Sequence, residues 1–350
     1  MNHRENMLRA VHFERPAYIP MSFHINPACW HAYPQDALQE LMAEHPFLFP
    51  DFEPSSAPVV PQYGPNQRAD QPYTDDWGCV WETTDDGITG TVTRHPLADW
   101  DDFERYRPPD PSEVSGLGPI DWEQVAKTLK EAREKGRLAA ASLPHGHTFL
   151  LLQSLRGYEN LVYDMADDEP RLCDLIDMVG SFNLALVRHY VDLGAEWIGY
   201  PEDLGMQVGP MISPAHFRRY IKPVYQRLMQ PARDAGCIVH MHSDGDIRAL
   251  VDDLIEGGVQ VINLQDLVNG IDWIADRFAG RVCVDLDVDR QAVTRYGTPA
   301  QIDALIREEV EKLASKEGGL MMIYGLYPGV PLENARALMD AMTRYATFYA

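Results

Sequence analysis

From about residue 119 the sequence keeps returning to one pattern: an amphipathic helical stretch, a glycine, then a short apolar run. Helices are expected over Asp121–Glu134, Glu169–Leu193, Pro214–Ala235, Ile247–Glu256, Gly270–Phe278 and Pro299–Glu317, with a last one from about Pro331 onward. Between them, Arg137–Leu143, Trp197–Tyr200, Cys237–His242, Val259–Leu264, Arg281–Val288 and Leu320–Tyr324 read as strands. Gly136, Gly194, Gly236, Gly257-Gly258 and Gly318-Gly319 stand where a left-handed residue ends a helix. Such alternation requires parallel strands, because each crossover helix returns the chain to the same end of the sheet. Six strands are counted here, Tyr18–Phe23 supplies a first, and one more within residues 55–95 would complete the eight of a (β/α)8 TIM barrel. The expected architecture is a single barrel domain over residues 1–350, elaborated by a loop and β-hairpin region at residues 46–111. An open doubly wound sheet is the alternative. No Gly-x-Gly-x-x-Gly or Gly-x-x-x-x-Gly-Lys loop follows any strand, which weakens its nucleotide-binding form.

Charge narrows the function classes. The chain carries 30 Lys+Arg against 53 Asp+Glu, a formal net charge of −23, which repels phosphate backbones and anionic lipid surfaces. A nucleic-acid-binding protein with a broad basic face is therefore excluded. No run approaches the roughly 20 apolar residues of a membrane span, and Met1–Glu5 lacks the charged-then-apolar order of a signal peptide. Cys29, Cys79, Cys173, Cys237 and Cys283 are scattered, with no Cys-x-x-Cys pair. They suit a reducing cytoplasm better than a disulfide framework, and they argue against a zinc site made of cysteines alone.

Barrel enzymes build their sites at the C-terminal ends of the strands. Ser22, His24 and Asn26 stand at the end of the first strand, and His145 and His147 follow Leu143. Glu202 and Asp203 follow Tyr200, Gln265 and Asp266 follow Leu264, and the last strand ends at Tyr324. Helix capping is the competing use for aspartates such as Asp244, Asp246 and Asp266. It accounts less well for the histidines, which are poor caps and costly to bury unpaired. The densest cluster is His240-Met241-His242-Ser243-Asp244-Gly245-Asp246. Residues two apart on a strand share a face, so His240 and His242 are expected to point the same way. With Glu202 they could form a zinc site of imidazole and carboxylate, or else an uncharged pair that orients an acidic or phenolic substrate. Trp77 and Trp81, near Asp75 and Asp76, could form a stacking platform, although cross-strand packing is the commoner use of such pairs. Ser22, Asn26, Trp77, Asp203 and Gln265 are the expected substrate contacts.

Several stretches resemble the uroporphyrinogen decarboxylase superfamily. They are Arg4-Glu5-Asn6-Met7-Leu8-Arg9-Ala10-Val11 with Arg15-Pro16 and Ile19-Pro20, Asp76-Trp77-Gly78, Glu202-Asp203-Leu204-Gly205, and Ile212-Ser213-Pro214 with Lys222-Pro223. The fullest is His242-Ser243-Asp244-Gly245-Asp246 followed by Asp253–Val259, and Gly297-Thr298-Pro299 and Val330–Asn334 match near the end. The resemblance covers essentially the whole chain and implies a (β/α)8 barrel and a homodimer. The superfamily holds two chemistries. Its decarboxylases grip tetrapyrrole carboxylates with an arginine-rich stretch, whereas the corresponding Met21–Trp30 here has no arginine. Its zinc methyltransferases pass methyl groups to or from a corrinoid protein through a His-x-Cys-Gly motif and a second cysteine. Here His242 is retained, Asp244 stands in place of the first cysteine, and Leu326 or Tyr327 lies near the second.

The resemblance therefore implies a harder metal site. Its expected ligands are His242, Glu202 and His240, and catalytic roles fall to His24, His145, Asp244 and Tyr324. The activity expected is a zinc-dependent methyltransferase, moving a methyl group from a small methoxy or amine substrate to a corrinoid protein. A cofactor-independent decarboxylase is the alternative, and an inactive binding barrel the third.

Overall fold

The computed structural model describes residues 1–349. Its strands, in chain order, are β1 (Met21–Ile25), β2 (Tyr73–Thr74), β3 (Val80–Glu82), β4 (Thr91–Arg94), β5 (Ala140–Ser142), β6 (Trp197–Pro201), β7 (Ile238–Ser243), β8 (Val261–Gln265), β9 (Cys283–Asp287) and β10 (Leu320–Leu326). The chain divides into two compact units. One comprises Met1–Asp70, Thr83–Thr89 and the chain from Leu264 onward, and the other comprises Gln71–Glu82 and Gly90–Asn263.

In the first unit β1, β10 and β9 lie side by side and parallel, with Phe23 level with Tyr324 and Met321 level with Asp285. In the second, β5, β6 and β7 are parallel in that order, with Ala140 level with Trp197 and Pro201 level with His242. β8 carries the boundary between the units. Strands covered on both faces read as near-continuous apolar runs, and β8 and β9 are buried at every position. These parallel strands with helical crossovers place the chain in the α/β-barrel class expected from the glycine-punctuated rhythm.

The strand count differs from the expected eight. Among the described residues seven strands are parallel, and no parallel strand comes from residues 55–95. The strands there, β2, β3 and β4, pair antiparallel with one another in a sheet of their own. A parallel partner needs a long crossover, whereas β3 and β4 are joined by a short loop containing Asp85-Asp86-Gly87, so local pairing prevails. Helices His3–His12, Gln35–Glu44, Phe149–Arg156 and Tyr158–Ala166 complete what the sequence rhythm left open.

Two helices of the second unit matter for the site. Pro170–Asp192 buries Leu172, Leu175, Ile176, Val179, Phe182, Leu186 and Val187, the spacing of a single apolar stripe. The helix spanning 214–234 contains a wider π-helical turn at Phe217–Ile221 before it resumes at Lys222. Beyond that turn it buries Val224, Tyr225, Leu228 and Met229. Among the described residues, no helix is long and apolar enough to cross a membrane.

Candidate functional site

The second unit gathers its polar groups just past the ends of β5, β6 and β7. His240 and His242 on β7 are both half-buried while Met241 between them is fully buried, so the two imidazoles share a face. Their surroundings differ. The His240 ring lies against Trp197, centroids 5.0 Å apart. His242 stands one step nearer the strand end, where its Nδ1 is hydrogen-bonded to Asn263 Oδ1 and its Nε2 lies 3.4 Å from Asp203 Oδ1.

Asp203 is the hub. Its Oδ1 is 3.3 Å from His145 Nε2 and accepts the Asp244 amide at 3.0 Å. The Asp244 carboxylate in turn lies 3.7 Å from His242 Nε2. Burial acts to raise the Asp203 carboxyl, but hydrogen bonds from His145 and His242 outweigh it and hold the group well below the usual carboxylate range. Burial alone would lower the His242 imidazole. The bond to Asp203, the charges of Asp244 and Asp203 and the bond to Asn263 together lift it to about 9.

Close backbone packing holds these loops. A Cβ on Gly205 would stand 2.5 Å from the Asp246 nitrogen, and one on Gly245, where φ is +81°, 2.2 Å from the Gly205 carbonyl carbon. Only glycine fits either position, and the loops after β6 and β7 are thereby joined backbone to backbone. This contact accounts for the glycines of the Asp203-Leu204-Gly205 and Ser243-Asp244-Gly245 stretches.

Glu202 faces away from His242. It is fully buried, with Oε1 accepting the Thr148 and Leu150 amides at 2.9 Å each and Oε2 accepting the Tyr225 hydroxyl. Burial raises its carboxyl to about 7 against those three donors. Beside it, His147 is also buried: Nδ1 is 2.7 Å from Thr148 Oγ1, Nε2 has no partner, and burial pushes the imidazole down to about 3. His147 and His145 are separated by Gly146 at φ +76°, a conformation that sends one ring inward and leaves the other exposed.

One ligand atom each from His145, Asp203 and His242 lie within 4.8 Å of one another. Two imidazole nitrogens and a carboxylate oxygen are a donor set hospitable to zinc, and three protein ligands leave a position open, as in catalytic zinc sites. Asn263 orients the His242 ring from behind, as partners of metal-bound histidines do. These residues fit such a metal. His242 thus comes together with Asp203 and His145 rather than with Glu202 and His240.

Trp77 is buried edge-on against Phe182 at 4.8 Å, and the Asp75 carboxylate accepts the amides of Trp77 and Cys79 and the indole N–H of Trp81. That hairpin is held together by packing and by its own hydrogen bonds. In the first unit Ser22 and His24 share the solvent-exposed face of β1. Asn26 Oδ1 accepts the Ala28 amide at 2.8 Å. Gln265 is buried, and its backbone carbonyl accepts Asn269 Nδ2 at 2.9 Å. The Tyr324 hydroxyl donates to Thr294 Oγ1 at 3.2 Å, its ring is fully buried beside Phe23, and burial raises it to about 12. A cavity of 590 Å³ opens past the ends of β1 and β10, lined by His31, Asp85, Asp86, Ile88 and Tyr327 among others. Its size and place suit a small-molecule pocket.

Comparison with known proteins agrees with the fold and locates the family. The uroporphyrinogen decarboxylase (URO-D) family model matches residues 75–345. A uroporphyrinogen decarboxylase of Thermus thermophilus is 31% identical over 274 residues, covering 73% of this chain and 72% of its own. That of Danio rerio is 21% identical over 276 residues, covering 73% and 70%. Among solved structures, a methyltransferase from Methanosarcina mazei superposes with a TM-score of 0.64 at 18% identity, over 100% of both chains.

Proposed function

The chain belongs to the uroporphyrinogen decarboxylase family, an enzyme family, and we propose that within it this protein is a zinc-dependent methyltransferase. It moves a methyl group from a small methoxy or amine substrate to the cobalt of a corrinoid partner protein. The observation that carries this reading is the convergence of His145, Asp203 and His242 within 4.8 Å. The donor atoms of that triad would hold the zinc, which supplies Lewis acidity toward an ether oxygen or amine nitrogen.

The chain's own groups do the rest. Asn263 fixes the His242 ring through Nδ1 and so keeps Nε2 aimed at Asp203. Asp244, partly exposed beside His242, is placed to hold by hydrogen bond the water that supplies a proton to the leaving oxygen or nitrogen. The leaving oxygen or nitrogen would keep the electrons of its bond to carbon, and the corrinoid of the partner would supply a nucleophilic acceptor for the methyl group. The charge distribution favours this reading over tetrapyrrole decarboxylation. A net charge of −23 and a Met21–Trp30 stretch without arginine repel a polycarboxylate substrate. The Methanosarcina mazei protein, which shares the fold, is itself a methyltransferase. A homodimer in the cytoplasm is part of the same proposal.

The test is metal content after purification without chelator, on wild type and on His242→Ala. About one zinc per chain, lost in the variant, is expected of a single three-ligand site. Methyl transfer from methoxy and methylamine compounds to free Co(I) cobalamin is then followed by absorbance. Absence of zinc from both proteins, together with carbon dioxide release from small carboxylic acids, would overturn the proposal in favour of decarboxylation.

A further inference from the structure

Glu202 and Asp203 are consecutive, yet they serve opposite sides of the same loop. Asp203 meets His145 from the site, while Glu202 reaches under the loop to the amides of Thr148 and Leu150. Those amides open the helix Phe149–Arg156, whose preceding residue Thr148 makes no side-chain cap of its own. Helix N-termini leave N–H groups without intrahelical partners, and a buried one is costly unless an acceptor is supplied. Here the acceptor comes from 52 to 54 residues further along the chain. Tyr225 completes the carboxylate on its other oxygen. Asn183 Nδ2 donates to the His147 carbonyl and secures the same loop a second time. Meanwhile the His145 side chain is 51% exposed and its bond to Asp203 is long at 3.3 Å, so little besides the loop's own position holds that ring in place.

We infer that Glu202 is a positioning residue of the metal centre, acting as a remote cap that clamps the 145–150 loop and thereby sets His145 as the third ligand. This inference rests on the metal reading above. The clamp and the metal site share one short segment: only Gly146 and His147 separate the ligand His145 from the capped amide of Thr148. Releasing Thr148 and Leu150 frees His145 and leaves only Asp203 and His242 as a pair. Groups that hold metal ligands in place are typically worth about 10- to 100-fold in affinity, and Glu202 belongs in that range.

The experiment uses Co²⁺ as the probe on the full chain, with hydrogen exchange of the metal-free protein measured alongside. Variants are Glu202→Ala, Glu202→Asp, Glu202→Gln and, as reference, His145→Ala. Glu202→Ala is expected to weaken Co²⁺ binding by about 10- to 100-fold and to give the visible absorption spectrum of His145→Ala. Glu202→Gln keeps a carbonyl for the two amides and is expected to stay near wild type. Glu202→Asp keeps the charge but is one methylene short, so it is expected to lose both the Co²⁺ spectrum and the exchange protection of the 148–150 amides. It serves as the informative variant should Glu202→Ala fail to fold. Wild-type Co²⁺ affinity and spectrum in a folded Glu202→Asp or Glu202→Ala would overturn the inference. Should wild type itself bind no Co²⁺, the metal reading fails. The clamp is then decided by hydrogen exchange, and unchanged protection at 148–150 in the same variants would overturn it.

Discussion

Each of the two units buries a glutamate completely, and the two are treated in opposite ways. Glu202 is 0% exposed and has three donors: two helix-terminal amides and the Tyr225 hydroxyl. Glu309, in helix Pro299–Leu313, is also 0% exposed, yet neither of its oxygens meets a donor among the described residues. What stands beside it is another acid, Asp266, itself buried and accepting the amides of Leu267 and Asp289. Burial and the Asp266 charge push Glu309 well above the ordinary carboxyl range, whereas the three donors limit Glu202 to about 7. Depth is the same, so the neighbours decide: three donors hold Glu202 to about 7, and a second acid keeps Glu309 protonated. Glu309 keeps its proton, and that proton is what makes an acid–acid contact with Asp266 tolerable.

The comparison breaks most visibly at Glu202. Truncation in Glu202→Ala strands two amides and a hydroxyl, each costing about 1–3 kcal/mol. A loss of roughly 3 kcal/mol or more in urea denaturation is expected at pH 8. A loss below about 1 kcal/mol would mean that water replaces the carboxylate.

The next effect has the opposite sign. Glu309 folds with its proton retained far above its unfolded value of 4.5, so the folded state binds more protons than the unfolded one. Stability is then full below pH 4.5 and falls as pH rises toward the folded pKa, by about 1.4 kcal/mol per pH unit. Glu202 adds to that slope only up to about pH 7 and His242 up to about pH 9, so the Glu309 share is the difference between wild type and a variant lacking its carboxyl. Glu309→Gln keeps the shape and removes the titration. It is expected to be more stable than wild type at pH 8, with a flatter thermal stability profile from pH 7 to 9. An unchanged profile would mean that Glu309 is ionised in the folded protein.

The smallest effect sharpens the contrast. Tyr225→Phe removes one of the three Glu202 donors, and a cost of about 1 kcal/mol is expected. Its stability is expected to fall more steeply with pH than wild type near pH 7, since fewer donors push Glu202 toward the behaviour of Glu309. Parallel pH profiles for the two proteins would detach the hydroxyl from the carboxyl's titration.

Much of the fold is legible in the glycine-punctuated rhythm, because helix ends and buried parallel strands leave local marks on the sequence. The antiparallel pairing of β2, β3 and β4 is less so: a short apolar run does not say whether its partner is local or distant. In the site, strand-end logic names His145, Asp203 and His242 individually, but their grouping depends on what happens after the strand stops. Alternation along β7 correctly puts His240 and His242 on one face, yet a layer of strand separates them, and Trp197 occupies the deeper one. Past Pro201 the chain turns, and which of two consecutive carboxylates meets His242 is set by that turn. Asn263 leaves a readable mark as the lone amide within Val261-Ile262-Asn263-Leu264. Tyr225 leaves none, since its partner is 23 residues away on a different element.

The π-helical turn at Phe217–Ile221 has a bearing on that last contact. In an ordinary α-helix each residue advances the side-chain direction by about 100°. The wider turn absorbs one residue more than a regular turn would, and so sets the angular phase of everything after it. Tyr225 reaches Glu202 in this phase. Were one residue removed from the turn, the helix could close into a regular spiral, and the face now carrying Tyr225 would swing about 100° away from the carboxylate. The irregularity therefore works as a timing mark along the chain: it decides which residue of the following helix arrives opposite the acid.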